Sequence, residues 1–86
     1  MVNDDECRAA RIDIKKVESI ARRLRRLSQE MNKLGIVLFG GSGSGSLRFD
    51  DGSGTGLLVI AEVGTTAFDG GDGATMRDGT GLLRGE

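Results

Sequence analysis

Cys7 is the chain's one cysteine, and the chain contains no histidine. A thiol nucleophile needs a neighbouring base, and Asp4, Asp5 and Glu6 are the residues beside it. That surrounding does not read as covalent catalysis. Gly40–Ser46, reading Gly-Gly-Ser-Gly-Ser-Gly-Ser, resembles a phosphate loop in composition. A Walker A loop requires a lysine and a helix after it. No lysine occurs after Lys33, and the segment beyond the loop reads as a strand. Dinucleotide spacing fails as well, because Arg48 stands where the third glycine is needed. Gly-x-Ser-x-Gly is absent. The run therefore reads as a hairpin loop, with a backbone anion nest as the weaker alternative.

Gly70-Gly71-Asp72-Gly73 opens like a calcium-binding nonapeptide, but Thr75 stands where the pattern wants an aspartate, and no second repeat occurs. A dedicated metal site is not expected from one cysteine and scattered carboxylates. The remaining acids have no paired arrangement suited to acid–base work. The chain is read as a non-enzyme with no cofactor.

The elements that would position any site divide sharply. All 15 glycines lie at or after Gly35, and the chain has no proline. Residues 1–34 therefore contain no helix breaker. Asn3 is a candidate N-cap, Asp4, Asp5 and Glu6 suit the positive end of the helix dipole, and Glu6 stands where a capping box places its acid. Gly35 suits a left-handed C′ position. One helix of about 31 residues, or roughly 46 Å, is expected between them.

Val17, Ile20, Leu24, Leu27, Met31 and Leu34 succeed one another at intervals of three and four, with Val17, Leu24 and Met31 at heptad position a. This is an oligomer seam of about two and a half heptads, against the three to four that a free-standing coiled coil wants. The rival reading is a stripe packed on the chain's own sheet. Arg22, Arg23, Arg25 and Arg26 surround Leu24 as a basic ridge. Glu18 with Arg22, and Arg26 with Glu30, have the spacing of intrahelical ion pairs.

In the glycine-rich half, Ile36–Phe39, Ser46–Asp50 and Leu57–Val63 read as three strands separated by turn material. Simple alternation places Leu57, Val59, Ala61 and Val63 on one face, and Leu58, Ile60 and Glu62 on the other. The fold class is α+β: a long N-terminal amphipathic helix over 1–34, a small three-stranded antiparallel meander over 35–63, and an extended glycine-rich C-terminal arm over 64–86. Phe68, Leu82 and Leu83 are spaced as arm anchors, with turns at 69–73 and 78–81.

Residues 1–34 carry nine Lys/Arg and six Asp/Glu, a net +3, and residues 35–86 carry three and seven, a net −4, summing to the chain's −1. The halves can attract one another within or between copies. At 86 residues, with three phenylalanines as its aromatics, such a chain needs outside help to complete a core. A lone cysteine excludes an internal disulfide, so assembly is the expected help. After Met1 come acids rather than the basic region of a secretory signal. The longest strongly apolar run, Leu57–Ala61, falls far short of the ~20 residues of a membrane helix.

The expected function is that of a structural or interaction protein. Its partners are other copies of itself or a larger structural protein. The specific form is a small virion component, capsid-decorating or a tail or neck accessory, located in the virion or the host cytoplasm. That specific form rests on a short, glycine-rich chain without proline or histidine that ends in an arm. The alternative is a small oligomeric nucleic-acid-binding or regulatory protein using the ridge from Arg22 to Arg26. Against it stand a sequence pI near 5.4 and no aromatic interleaving for base stacking.

Overall fold

The computed structural model describes residues 2–41, 44–64 and 73–85. The architecture is α+β. Two helices, α1 (Asp4–Ala10) and α2 (Ile14–Leu34), precede strands β1 (Ile36–Gly41), β2 (Ser44–Phe49) and β3 (Leu58–Glu62). Strands β4 (Thr75–Arg77) and β5 (Leu83–Gly85) come last. The chain divides into two compact units, Met1–Ser28 with Asp72–Glu86, and Gln29–Gly71. The division falls within α2.

The single 31-residue helix is corrected to a short helix and a long one. Arg11 takes a left-handed conformation, φ 57° and ψ 39°. Its N–H donates to the Arg8 carbonyl, and the Ile12 N–H donates to the Cys7 carbonyl, each at 3.1 Å. This is a complete Schellman stop with an arginine in the position that glycine prefers. Asp13 then restarts the helix. Its Oδ1 accepts the Lys15 N–H at 2.9 Å, and its carbonyl accepts the Lys16 and Val17 N–H groups. An N-cap aspartate suffices to satisfy a helix start.

Gly35 ends α2 with φ +74°, and its N–H reaches the Asn32 carbonyl at 3.2 Å. The position disfavours a side chain on two counts: the backbone is left-handed, and an added Cβ would stand a tight 3.1 Å from Phe49 Cε2.

The three-stranded sheet has the order β1-β2-β3, antiparallel throughout. In β1 and β2, Ile36 faces Phe49 and Leu38 faces Leu47. The β2–β3 register slips between Leu47 and Arg48, so Leu47 faces Ala61 while Arg48 faces Val59. Ile60 is the extra residue of a β-bulge. The simple alternation expected for β3 is therefore corrected: Leu58 shares a face with Ala61, and Val59 shares one with Glu62. Paired residues project to the same side. One side of the sheet thus carries Ile36, Leu38, Leu47, Phe49, Leu58 and Ala61, without a polar side chain among them.

The extended arm expected over 64–86 is corrected in its described part. Residues 75–85 form a two-stranded hairpin in which Thr75 faces Gly85, Met76 faces Arg84 and Arg77 faces Leu83. The turn expected at 78–81 is present, with the Gly81 N–H on the Asp78 carbonyl and the Asp78 N–H on the Leu82 carbonyl. The turn expected at 69–73 lies mostly outside the described residues.

Candidate functional site

Heptad spacing puts the six seam residues on one stripe of α2, all within its bounds Ile14–Leu34. Ile20, Leu24, Leu27 and Leu34 are exposed, Leu24 by 56% and Leu34 by 63%. Val17 and Met31 are half-buried. No residue of α2 is buried. Ala10 and Asp13, which precede the seam at heptad spacing, lie outside α2. The helix break thus trims the stripe to Val17–Leu34.

Arg22, Arg23, Arg25 and Arg26 form the ridge; Arg23, Arg25 and Arg26 are exposed, as is Arg22. Arg23 Nε donates to the Ser19 carbonyl at 3.3 Å. The ion pairs expected from spacing do not form. Among the described residues the salt bridges are Arg8 with Asp5 and Arg84 with Asp78, so Glu18, Arg22, Arg26 and Glu30 have no ion-pair partner there. On a solvated helix such a pair returns only a few tenths of a kcal/mol, about 0.3–0.5. Arg22 and Arg25 border an open groove of about 320 Å³ with Val2, Asp4, Glu18 and Ala21. The ridge therefore has carboxylates of its own chain close by.

The arm anchors separate. Phe68 lies outside the described residues. Leu82 and Leu83 are half-buried, and the Leu83 N–H donates to Glu6 Oε2 at 2.8 Å. Glu6 does not close a capping box with Asn3. Asn3 makes no side-chain cap, and its carbonyl takes the Cys7 N–H at 3.0 Å. Beside Glu6, Cys7 is the one buried apolar side chain among the described residues, at 9% exposure.

The hairpin turn is organised by Asp78. Its Oδ1 accepts the Thr80 hydroxyl at 2.6 Å, the Thr80 N–H at 2.8 Å and the Leu82 N–H at 3.1 Å. Arg84 Nε donates to Oδ2 at 2.5 Å. The Thr80 hydroxyl first, then Arg84 and the backbone donors, hold this carboxyl far below the usual carboxylate range. A carboxylate so bonded within its own loop fixes the turn.

The two hairpins share a sequence repeat. Gly-Thr-Gly-Leu-Leu occurs at residues 54–58 and again at 79–83. Each copy enters the second strand of a hairpin, β3 beginning at Leu58 and β5 at Leu83. The loop bonding also repeats. Ser53 Oγ accepts the Thr55 N–H at 3.2 Å and bonds the Thr55 hydroxyl at 2.9 Å, as Asp78 does with Thr80. The two loops share this contact but not the backbone around it: Gly54 has φ +77°, and Gly79 has an ordinary angle.

On the sheet side opposite the apolar face, Arg48 lies over the Phe39 ring at 4.1 Å from its centroid. Its Nε donates to Ser46 Oγ at 2.9 Å. This satisfies Ser46, which is buried. Both sides stay open among the described residues: Phe39 is exposed on this side, and Leu38, Phe49 and Leu58 are exposed on the apolar one.

Comparison of this chain with known protein families, curated proteins and solved structures finds no match. Among the described residues no helix is long and apolar enough to cross a membrane, and no cluster of His, Cys, Asp or Glu has the make-up of a metal site.

Proposed function

We propose that this chain is a structural interaction protein that completes its core by assembling with other copies of itself, or with a larger structural protein. One observation carries the reading. Among the described residues one apolar side chain is buried, Cys7, while 15 large apolar residues stand exposed. Most of them fall on two surfaces, the α2 stripe and the three-stranded sheet. Monomeric proteins rarely leave contiguous apolar surfaces of this kind open to water.

Magnitudes indicate how the surfaces share the work. Covering a half-exposed leucine contributes about 1 kcal/mol. Six seam residues from each of two copies then contribute on the order of 10 kcal/mol, which association costs of about 4–15 kcal/mol largely offset. The seam alone makes a modest interface, and the sheet face supplies the remainder. Leu24→Asp with Leu27→Asp places charge in the seam and should lower the solution mass of the assembly. An unchanged mass with retained helicity overturns the seam's part.

The narrower reading is a small virion component, capsid-decorating or a tail or neck accessory. Its support is compositional: 15 glycines in 86 residues without proline or histidine. The repeated Gly-Thr-Gly-Leu-Leu segment adds to the structural reading. Copurification with particles is its test.

A second reading keeps one specific observation. The four ridge arginines are exposed and, among the described residues, free of ion pairs, as a phosphate-binding surface requires. Arg22→Glu with Arg26→Glu should abolish salt-sensitive binding to a DNA or RNA duplex. No binding by the wild type at low salt removes this reading.

A further inference from the structure

We infer that the occupant of the α2 stripe is a second copy of α2 running antiparallel, with Arg23 of each helix paired to Glu30 of the other. The inference rests on the assembly reading and specifies its partner and geometry.

With Val17, Leu24 and Met31 at a and Ile20, Leu27 and Leu34 at d, the flanking g positions are Lys16, Arg23 and Glu30. The e positions within α2 are Ile14, Ala21 and Ser28. Charge at e and g sets the orientation of a coiled coil. In a parallel, in-register pair, each g residue meets the e residue five positions further along the partner. Arg23 then meets Ser28, Lys16 meets Ala21, and Glu30 meets the backbone of Gly35. No ion pair forms.

In an antiparallel pair, a residues meet d residues and g meets g. One register uses all six layers: Val17 on Leu34, Ile20 on Met31 and Leu24 on Leu27, each twice. The same register sets Arg23 against Glu30 on one flank, again twice. On the other flank it sets Ala21 against Ser28, two small residues that let the helices approach closely. Sliding by one heptad leaves four layers and sets like charges together: Arg23 against Arg23 in one direction, beside two Lys16–Glu30 pairs, and Glu30 against Glu30 in the other. Full apolar overlap and charge complementarity thus select the same arrangement.

The single-chain geometry leaves both charges available. Arg23 and Glu30 are exposed, and neither has an ion-pair partner among the described residues. Asp13 fits the same arrangement. It would stand at d if the seam continued toward the N-terminus, and it caps α2 instead. The partnered length is the length of α2.

Disulfide trapping between two singly substituted chains tests the arrangement. Ile20→Cys and Met31→Cys chains, one carrying a mass tag, are mixed and oxidised gently. The wild type, whose Cys7 is buried, is the control. Antiparallel pairing predicts that the mixed 20–31 disulfide dominates. In a parallel pair those positions lie roughly 16 Å apart along the axis, and each variant would link to itself. Dominant self-linking overturns the inference while leaving assembly intact. A wild-type monomer by light scattering overturns the assembly reading itself.

A charge swap supplies an independent readout. Arg23→Glu or Glu30→Arg alone should weaken association several-fold, and the two together should restore it. Association in the double variant no stronger than in either single variant, at equal helicity, overturns the pairing.

Discussion

The Leu83 backbone N–H donates to Glu6 Oε2 at 2.8 Å, joining residues 77 positions apart. A short helix of seven residues and a hairpin of two three-residue strands are each too small to persist alone. This bond couples them. Glu6→Ala should cost about 1–2 kcal/mol, because the Leu83 donor is part-buried and loses a charged acceptor. Amide hydrogen exchange reads the effect directly: Leu83 should lose protection while the amides of β2 keep theirs. Unchanged protection at Leu83 would show that the bond does not hold the hairpin.

Arg11 stores a small strain. A residue with a side chain pays roughly 1 kcal/mol or more in the left-handed region, and glycine does not. Arg11→Gly should therefore stabilise the chain by about 0.5–1 kcal/mol, after allowing for the greater freedom glycine gives the unfolded state. Denaturant melts check it, and a destabilised variant would contradict the Schellman stop.

The outline of this fold is legible in the sequence, and the failures share a cause. The absence of glycine before Gly35 and the three-and-four spacing from Val17 to Leu34 announce a helix and its end. The apolar runs announce three strands. The break at Arg11–Asp13 was hidden because an arginine occupies the glycine position and the restart needs only one aspartate side chain. The bulge at Ile60 was hidden because Leu57–Val63 is apolar on both sides of the alternation, so no polar residue marks the slip. The β4–β5 hairpin was hidden because three-residue strands carry almost no period. Its signal was the repeated Gly-Thr-Gly-Leu-Leu. The placement of Val17–Leu34 and of Arg22–Arg26 on one helix was legible, since an unbroken helix over Ile14–Leu34 fixes their faces.

Gly35 and Gly79 give a paired test of the helix end. Gly35→Ala should cost about 1–2 kcal/mol for its left-handed backbone, and more if Phe49 cannot move from the added Cβ. Gly79→Ala meets nothing within 4 Å and has an ordinary backbone angle, so it should be near neutral. Equal effects in thermal melts would contradict the turn geometry.

Asp78 predicts acid resistance of its own loop bonds. Its folded-state carboxyl lies below the unfolded value of about 3.9. A lowered carboxylate contributes stability that is complete above the unfolded value and lost as pH falls through the folded one. The Thr80 and Leu82 bonds to Asp78 should therefore be the last carboxylate contacts of the hairpin to be lost as pH falls. Asp78→Asn should remove this dependence and open the loop at neutral pH. NMR titration of the Thr80 and Leu82 amides checks both. An Asp78 that titrates with the exposed aspartates would contradict the loop bonding.

The central claim is that this chain completes its core outside itself. Light scattering behind size-exclusion chromatography, with the wild-type chain at low and high salt, tests it most directly. The predicted result is a defined oligomer or larger particle whose mass exceeds the 9.1 kDa chain by a whole-number factor. A folded monomer at every concentration, with the α2 stripe open to water, would contradict it.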